Sequence, residues 1–136
     1  MDELTVIAER FREIAETLNA PDQARLVRTK PMHDGSRHCE YNGDFYTLTT
    51  SERGKLFDQQ TTCDPNELLF WLVRDMTAAM AVEYVLSNRQ NGLDGDTRAG
   101  WFDHHVELLQ LIDHTWAEKQ RLEYDRILAD NTNNGG

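Results

Sequence analysis

The sequence predicts an α+β domain: an N-terminal helix, a three-stranded antiparallel meander, then two to three helices packed on one sheet face. Three observations carry that prediction. Apolar residues recur at spacings of three and four near both ends of the chain. Asn42-Gly43 separates two short runs of β-type residues. "DPNE" at 64–67 reads as a helix start directly after a third such run.

The first helix is marked by Leu4, Ile7, Ala8, Phe11, Ile14, Ala15 and Leu18, with Asp2 as its N-cap and Asn19-Ala20-Pro21 as its stop. Residues 20–36 read as a loop that is locally basic through Arg25, Arg28 and Lys30, with Leu26-Val27 as a candidate short strand. The meander is expected over about 37–62. Asn42-Gly43 should supply the two positive-φ residues of a type I′ hairpin, and Thr49–Glu52 a second turn that the chain leaves at Gly54. "KLFDQQTT" at 55–62 is then the third strand. Asp64 caps the next helix, Pro65 opens it, and Glu67 takes the capping-box position.

This helix, about 65–90, is the most apolar segment, with an inward stripe of Leu69, Leu72, Met76, Ala79 and Leu86 that Glu83 interrupts. "NGLDGD" at 91–96 ends it. A further helix from about Arg98 places Trp101, Phe102, His105, Leu108, Leu109 and Ile112 inward. Asp113-His114-Thr115 permits a bend, and a last helix over 116–129 runs through Leu122, Ile127 and Leu128. Residues 1–130 are expected to form one domain, and 131–136 a disordered tail.

The chain carries 24 acidic and 14 basic residues, a net charge of −10. Residues 1–63 contribute −3 (11 acids, 8 bases) and residues 64–136 contribute −7 (13 acids, 6 bases). Such a field disfavours nucleic acid and anionic membrane and favours a basic partner. The acidic start and the lack of a long apolar run predict a cytoplasmic protein with reduced thiols at Cys39 and Cys63.

No motif for a nucleotide-binding loop or a serine nucleophile occurs, and no cofactor is expected. His104 and Glu107 share a helical face, but adjacent His104 and His105 point apart, which favours an exposed His104 and a half-buried His105 over a metal site. His38 and Cys39 lie on opposite faces of a strand and cannot act together. Arg53 before a glycine and Glu83 on an apolar stripe suggest a partly buried ion pair, with Arg98 as the reserve partner.

Several stretches together resemble a known family: Glu52-Arg53-Gly54, Thr61-Thr62, Asp64, Glu67–Trp71, Ala81, Tyr84, Arg89, Arg98, Phe102, Leu108-Leu109 and Trp116. They are similar in order and spacing to the ERG-motif group of small immunity proteins from bacterial polymorphic toxin systems. The resemblance spans about residues 40–130 and departs where Asp113-His114-Thr115 replaces a proline-containing break. It implies a non-enzymatic α+β protein that binds and neutralises one cognate toxin. The acidic charge adds the expectation of a basic target, such as a nuclease. Asp94, Asp96, Asp103, Glu107, Glu118, Glu123 and Asp125 are the candidate contact carboxylates, with Trp101 or Tyr124 as aromatic anchors. The alternatives are a small hydrolase using His104, His105 or Arg53, and a regulatory adaptor.

Overall fold

The computed structural model describes residues 3–25, 27–30, 34–88 and 97–134; the side chains at 3, 23, 34–36, 52, 56, 57, 88, 97–100 and 130–134 lie outside the description. The elements are α1 (Glu3–Thr17), a 3₁₀ turn (Asp22–Arg25), β1 (Asp34–Tyr41), β2 (Tyr46–Glu52), β3 (Lys55–Thr62), α2 (Pro65–Asn88), α3 (Thr97–Gln110) and α4 (His114–Asn134). Helix, meander and helices follow in the predicted order. Contacts gather the chain into two compact units, Met1–Val73 and Arg74–Gly136, and the boundary falls inside α2.

In the first unit, α1 buries Ile7, Phe11 and Ala15 on one stripe and lies against β1. It ends in a paired cap. Asn19 adopts a φ of 62°, the Ala20 N–H donates to the Ala15 carbonyl at 2.9 Å and the Asn19 N–H to that of Glu16 at 3.1 Å. This is the bonding of a Schellman motif with asparagine in the left-handed position. Asp2 lies outside the described residues. So does Leu26, and residues 27–29 form no strand. Instead the Arg28 carbonyl accepts the Cys39 N–H at 2.8 Å, which seals part of the outer edge of β1.

The sheet order is β1-β2-β3, all antiparallel. Cys39, Leu48 and Gln60 are register partners, as are Tyr41, Tyr46 and Thr62. Cys39, Tyr46 and Leu48 are buried on this core face, and Tyr41 stacks on Tyr46 at 4.5 Å. Arg37 crosses the sheet to Thr50 (3.2 Å) and Asp58 (3.1 Å). The opposite face is not wholly solvent-exposed, since His38 and Thr49 are buried there.

The two turns exchange the expected roles. Asn42 keeps ordinary φ and acts through its side chain, accepting the N–H groups of Asp44 (2.9 Å) and Phe45 (2.8 Å). Only Gly43 takes a positive φ, 100°, at the first central position. The pair of positive-φ residues that a type I′ turn requires is Arg53 (52°) and Gly54 (79°), between Glu52 and Lys55. The strand therefore runs to Glu52 rather than turning at Thr49. A lone sequence signal named the right conformation but the wrong hairpin.

At α2, Asp64 caps as predicted, its Oδ1 accepting the Asn66 N–H at 3.0 Å. The reciprocal half of the capping box is replaced: the Asp64 N–H donates to Thr62 Oγ1 at 3.1 Å rather than to Glu67. The buried positions in the first unit are Leu68 to Trp71 and Val73. In the second unit they are Met76, Thr77 and Ala81. The predicted stripe is corrected, because Leu72 is half-buried and Ala79 and Leu86 are exposed. The fully buried row runs Leu69, Val73, Thr77, Ala81, a spacing of four that includes a polar residue.

Gly54 tests the turn assignment. Nothing lies within 4 Å of a methyl group added there, so the cost of a side chain comes from its backbone angle alone. Gly54→Val is expected to cost about 1–2 kcal/mol in urea denaturation, whereas Arg53→Asn should be neutral or stabilising by about 0.5 kcal/mol. An unchanged midpoint in Gly54→Val would remove the assignment.

Candidate functional site

The second unit is built on the α3–α4 hairpin. The chain reverses without proline because Asp113 does two jobs. Its N–H donates to the Leu109 carbonyl (2.8 Å), closing α3. Its Oδ1 accepts the Trp116 N–H (3.1 Å), capping α4. The helix then starts at His114 and continues to Asn134, past the expected end at Ala129.

Inside this unit Phe102 and Tyr124 stack at 3.8 Å and Trp101 meets both edge-on. A polar chain runs through these aromatics. Thr77 Oγ1 lies 3.2 Å from the Arg74 carbonyl and 2.7 Å from His105 Nε2. The other ring nitrogen, Nδ1, hydrogen-bonds with the Tyr124 hydroxyl. Gln120 donates to the Tyr124 oxygen, and its own Oε1 is buried without a partner among the described residues. Both nitrogens of His105 are thus committed, and its side chain is 1% exposed, not half-buried as the sequence suggested.

The environment holds the imidazole neutral. Burial is the main cause, with the Arg74 and His104 charges adding to it against a hydrogen bond to the Arg74 backbone, and the pKa falls from 6.5 to about 4. Burial, with the Glu123 carboxylate nearby, raises the Tyr124 phenol well above its ordinary range.

The surface of the same hairpin carries the acidic candidates. Asp103, Glu107, Glu118, Glu123 and Asp125 are all exposed. Asp103 pairs with Arg121 at 2.8 Å, Glu107 with His104 at 3.6 Å, and Glu118 with His114 at 3.2 Å. His104 is half-buried because its ring stacks on Tyr84 at 3.9 Å. Between the helices lies a groove of about 370 Å³ lined by Val106, Gln110, His114, Ala117, Glu118, Arg121 and Leu122. Val106 and Ala117 are buried at its floor, and Leu122, 68% exposed, stands at its rim. Along α4 the outward row reads Glu118, Leu122, Asp125, an aliphatic side chain between two carboxylates.

Several predicted positions fall elsewhere. Tyr124 is buried in the aromatic cluster and is not a surface anchor; Trp101 is half-buried beside it. Leu122 and Ile127, expected inward, are exposed, because the buried row of α4 is Ala117, Gln120 and Tyr124. Arg53 and Glu83 are both exposed, so the expected burial does not hold: Arg53 occupies a turn tip, and Glu83 lies beside the exposed Val82 and Tyr84. The Arg98 side chain, Asp94 and Asp96 lie outside the described residues. Arg121, Val106 and the polar members Thr77 and Gln120 were not found from sequence. Thr77 and Arg121 act across helices, 28 and 18 positions from their partners His105 and Asp103.

Among the described residues no helix is long and apolar enough to cross a membrane, and no group of three or more potential ligands is placed to hold a metal ion. A family model described as immunity protein 63 matches residues 42–126, more than half of the chain, from the β1–β2 turn into α4. No curated protein and no solved structure gives a significant match.

The neutral His105 generates a pH dependence. Between pH 6.5 and 4 the unfolded chain takes up a proton that the folded chain refuses. Its contribution is therefore complete above pH 6.5 and is lost as pH falls toward 4, by about 3 kcal/mol at most. Urea titrations at pH 7 and pH 4.5 should show this loss, and His105→Gln should shrink it. Tyr124→Phe, which leaves Nδ1 unpaired, is expected to cost about 1–3 kcal/mol. An equal loss of stability on acidification in the protein and in His105→Gln would assign the effect to other groups.

Proposed function

The chain belongs to the immunity protein 63 family, and from that premise we propose that it neutralises a cognate toxin by stoichiometric binding through the outer face of the α3–α4 hairpin. One observation carries this reading: an exposed carboxylate, Glu118, borders a groove whose floor is apolar and whose rim presents an uncovered leucine. Interfaces use such a combination, with a desolvated centre for affinity and a charged rim for orientation and speed of association. Leu122 takes the anchoring role that the sequence gave to Trp101 or Tyr124. Asp103, Glu107, Glu118, Glu123 and Asp125 set the field around it, and Asp94 and Asp96 stay in the candidate set for their charge. Arg53, Glu83 and Arg98 serve structure rather than contact in this reading.

The partner that fits is a basic protein, and a toxin that grips phosphates, such as a nuclease, has that character. The protein then acts in the cytoplasm of the cell that makes the toxin, with residues 1–130 working as one binding domain. No step of this function needs a catalytic residue or a cofactor. His105, whose imidazole burial holds neutral, has both nitrogens occupied by structural hydrogen bonds.

Replacing Asp103, Glu107, Glu118 and Asp125 together with Asn or Gln should slow association with the cognate toxin by about tenfold at low salt, and the difference should close at high salt. Leu122→Ala should act mainly by speeding dissociation. Unchanged association in the fourfold variant would move the interface off this face, with the basic stretch from Arg25 to Arg37 as the next surface to test.

A further inference from the structure

We propose that the open edge of β3 pairs with the same edge of a second copy of this chain, joining two three-stranded sheets into one six-stranded sheet. This rests on the sheet alone and is independent of the toxin-binding reading.

Hydrogen-bond alternation identifies the groups concerned. The Asn42 N–H donates to the Phe45 carbonyl across the first turn, which makes 42 and 45 a bonded pair. Antiparallel pairing then alternates. On β2, Thr47 and Thr49 bond toward β1, while Tyr46, Leu48 and Thr50 turn toward Thr62, Gln60 and Asp58 of β3. The outward bond of Cys39 to Arg28 obeys the same alternation. Gln59 and Thr61 must therefore point their N–H and C=O groups away from the sheet. Neither makes a backbone hydrogen bond outside it among the described residues, and both side chains are exposed.

The two edges of the sheet are treated differently. The outer edge of β1 is met by Arg28 and α1. The edge of β3 is eight residues long, has no proline, and has no charge from Gln59 to Thr62. Proteins ordinarily protect such an edge with lysine, proline or a covering segment.

The edge is also self-complementary. With Gln60 on a two-fold axis, Gln59 of each copy faces Thr61 of the other, and four backbone hydrogen bonds form. Asp58 then faces Thr62, so no like charges meet. The two Gln60 side chains face each other across a non-bonded pair, within reach of one another. Gln60 Oε1 is buried without a hydrogen-bond partner among the described residues, so its side chain gains a bond if it turns toward the amide of the facing Gln60. Because each copy carries −10, their association should strengthen as salt screens the repulsion. Binding to a basic protein would weaken instead.

Sedimentation equilibrium of the full chain at two salt concentrations tests this. A concentration-dependent dimer is expected, tighter at the higher salt. The double variant Gln59→Lys with Thr61→Lys places lysine against lysine across the axis, and Thr61→Pro removes an edge N–H that makes no bond within the chain. Each should raise the dimer dissociation constant by at least about tenfold while leaving the circular dichroism spectrum unchanged. Should Thr61→Pro fail to fold, the lysine variant still decides. In a Cys63→Ser background, Gln60→Cys should form an intermolecular disulfide under mild oxidation, since a non-bonded pair has suitable spacing. A monomer at all concentrations, or a dimer unaffected by the lysine variant, overturns the proposal. So does a monomer whose lysine variant loses only toxin binding, which would assign the edge to a strand of the toxin.

Discussion

The helical unit is organised by a buried chain of hydrogen bonds. Thr77 Oγ1 meets both the Arg74 carbonyl and His105 Nε2, and His105 Nδ1 meets the Tyr124 hydroxyl. The chain links the second half of α2 to α3 and α4 within the unit, in surroundings where an unpaired group or a charge would be costly. A charged His105 is disfavoured in it, because burial penalises the imidazolium. Packing of Phe102 on Tyr124 and of Trp101 against both follows from where this chain holds the tyrosine.

That constraint also explains where the sequence was legible and where it was not. Element types and order could be read because they depend on neighbours in sequence: the stripe of α1, the cap at Asp64, the β-type run after Gly54. The inward face of α4 could not be read from hydrophobicity. A periodic search puts Leu122 and Ile127 inside and treats Gln120 as solvent-facing. The polar chain reverses this by placing Gln120 and Tyr124 inside, where the two side chains bond to each other. In α2 the same chain brings Thr77 inside while Ala79 and Leu86 face out. Glu83 looked like a charge buried in a stripe only because the stripe was drawn on the wrong side of the helix.

The candidate surface was partly legible for a related reason. The carboxylates at 103, 107, 118, 123 and 125 are exposed as expected, since charge predicts solvent. Their neighbours were not foreseen. Arg121 compensates Asp103 from the other helix, and the groove exists only because small and branched residues, Ala117 and Val106, lie opposite each other. Such pairings are products of packing, and spacing along the chain does not encode them. The hairpin turns showed the same limit: Asn42-Gly43 marked a real reversal, but which residues carry positive φ depended on the register of both strands.

The buried imidazole has a consequence for observation. A ring N–H enclosed between Thr77 and the aromatic cluster is shielded from solvent, so its proton should exchange slowly and give a sharp magnetic-resonance signal away from the crowded amide region. Exchange of that proton requires the helices to part locally, whereas exchange of the amides in β2 requires opening of the sheet. The two half-units of α2 would therefore be followed by separate clocks in one sample, one for each compact unit. This buried histidine would become the probe of how cooperatively the two units unfold.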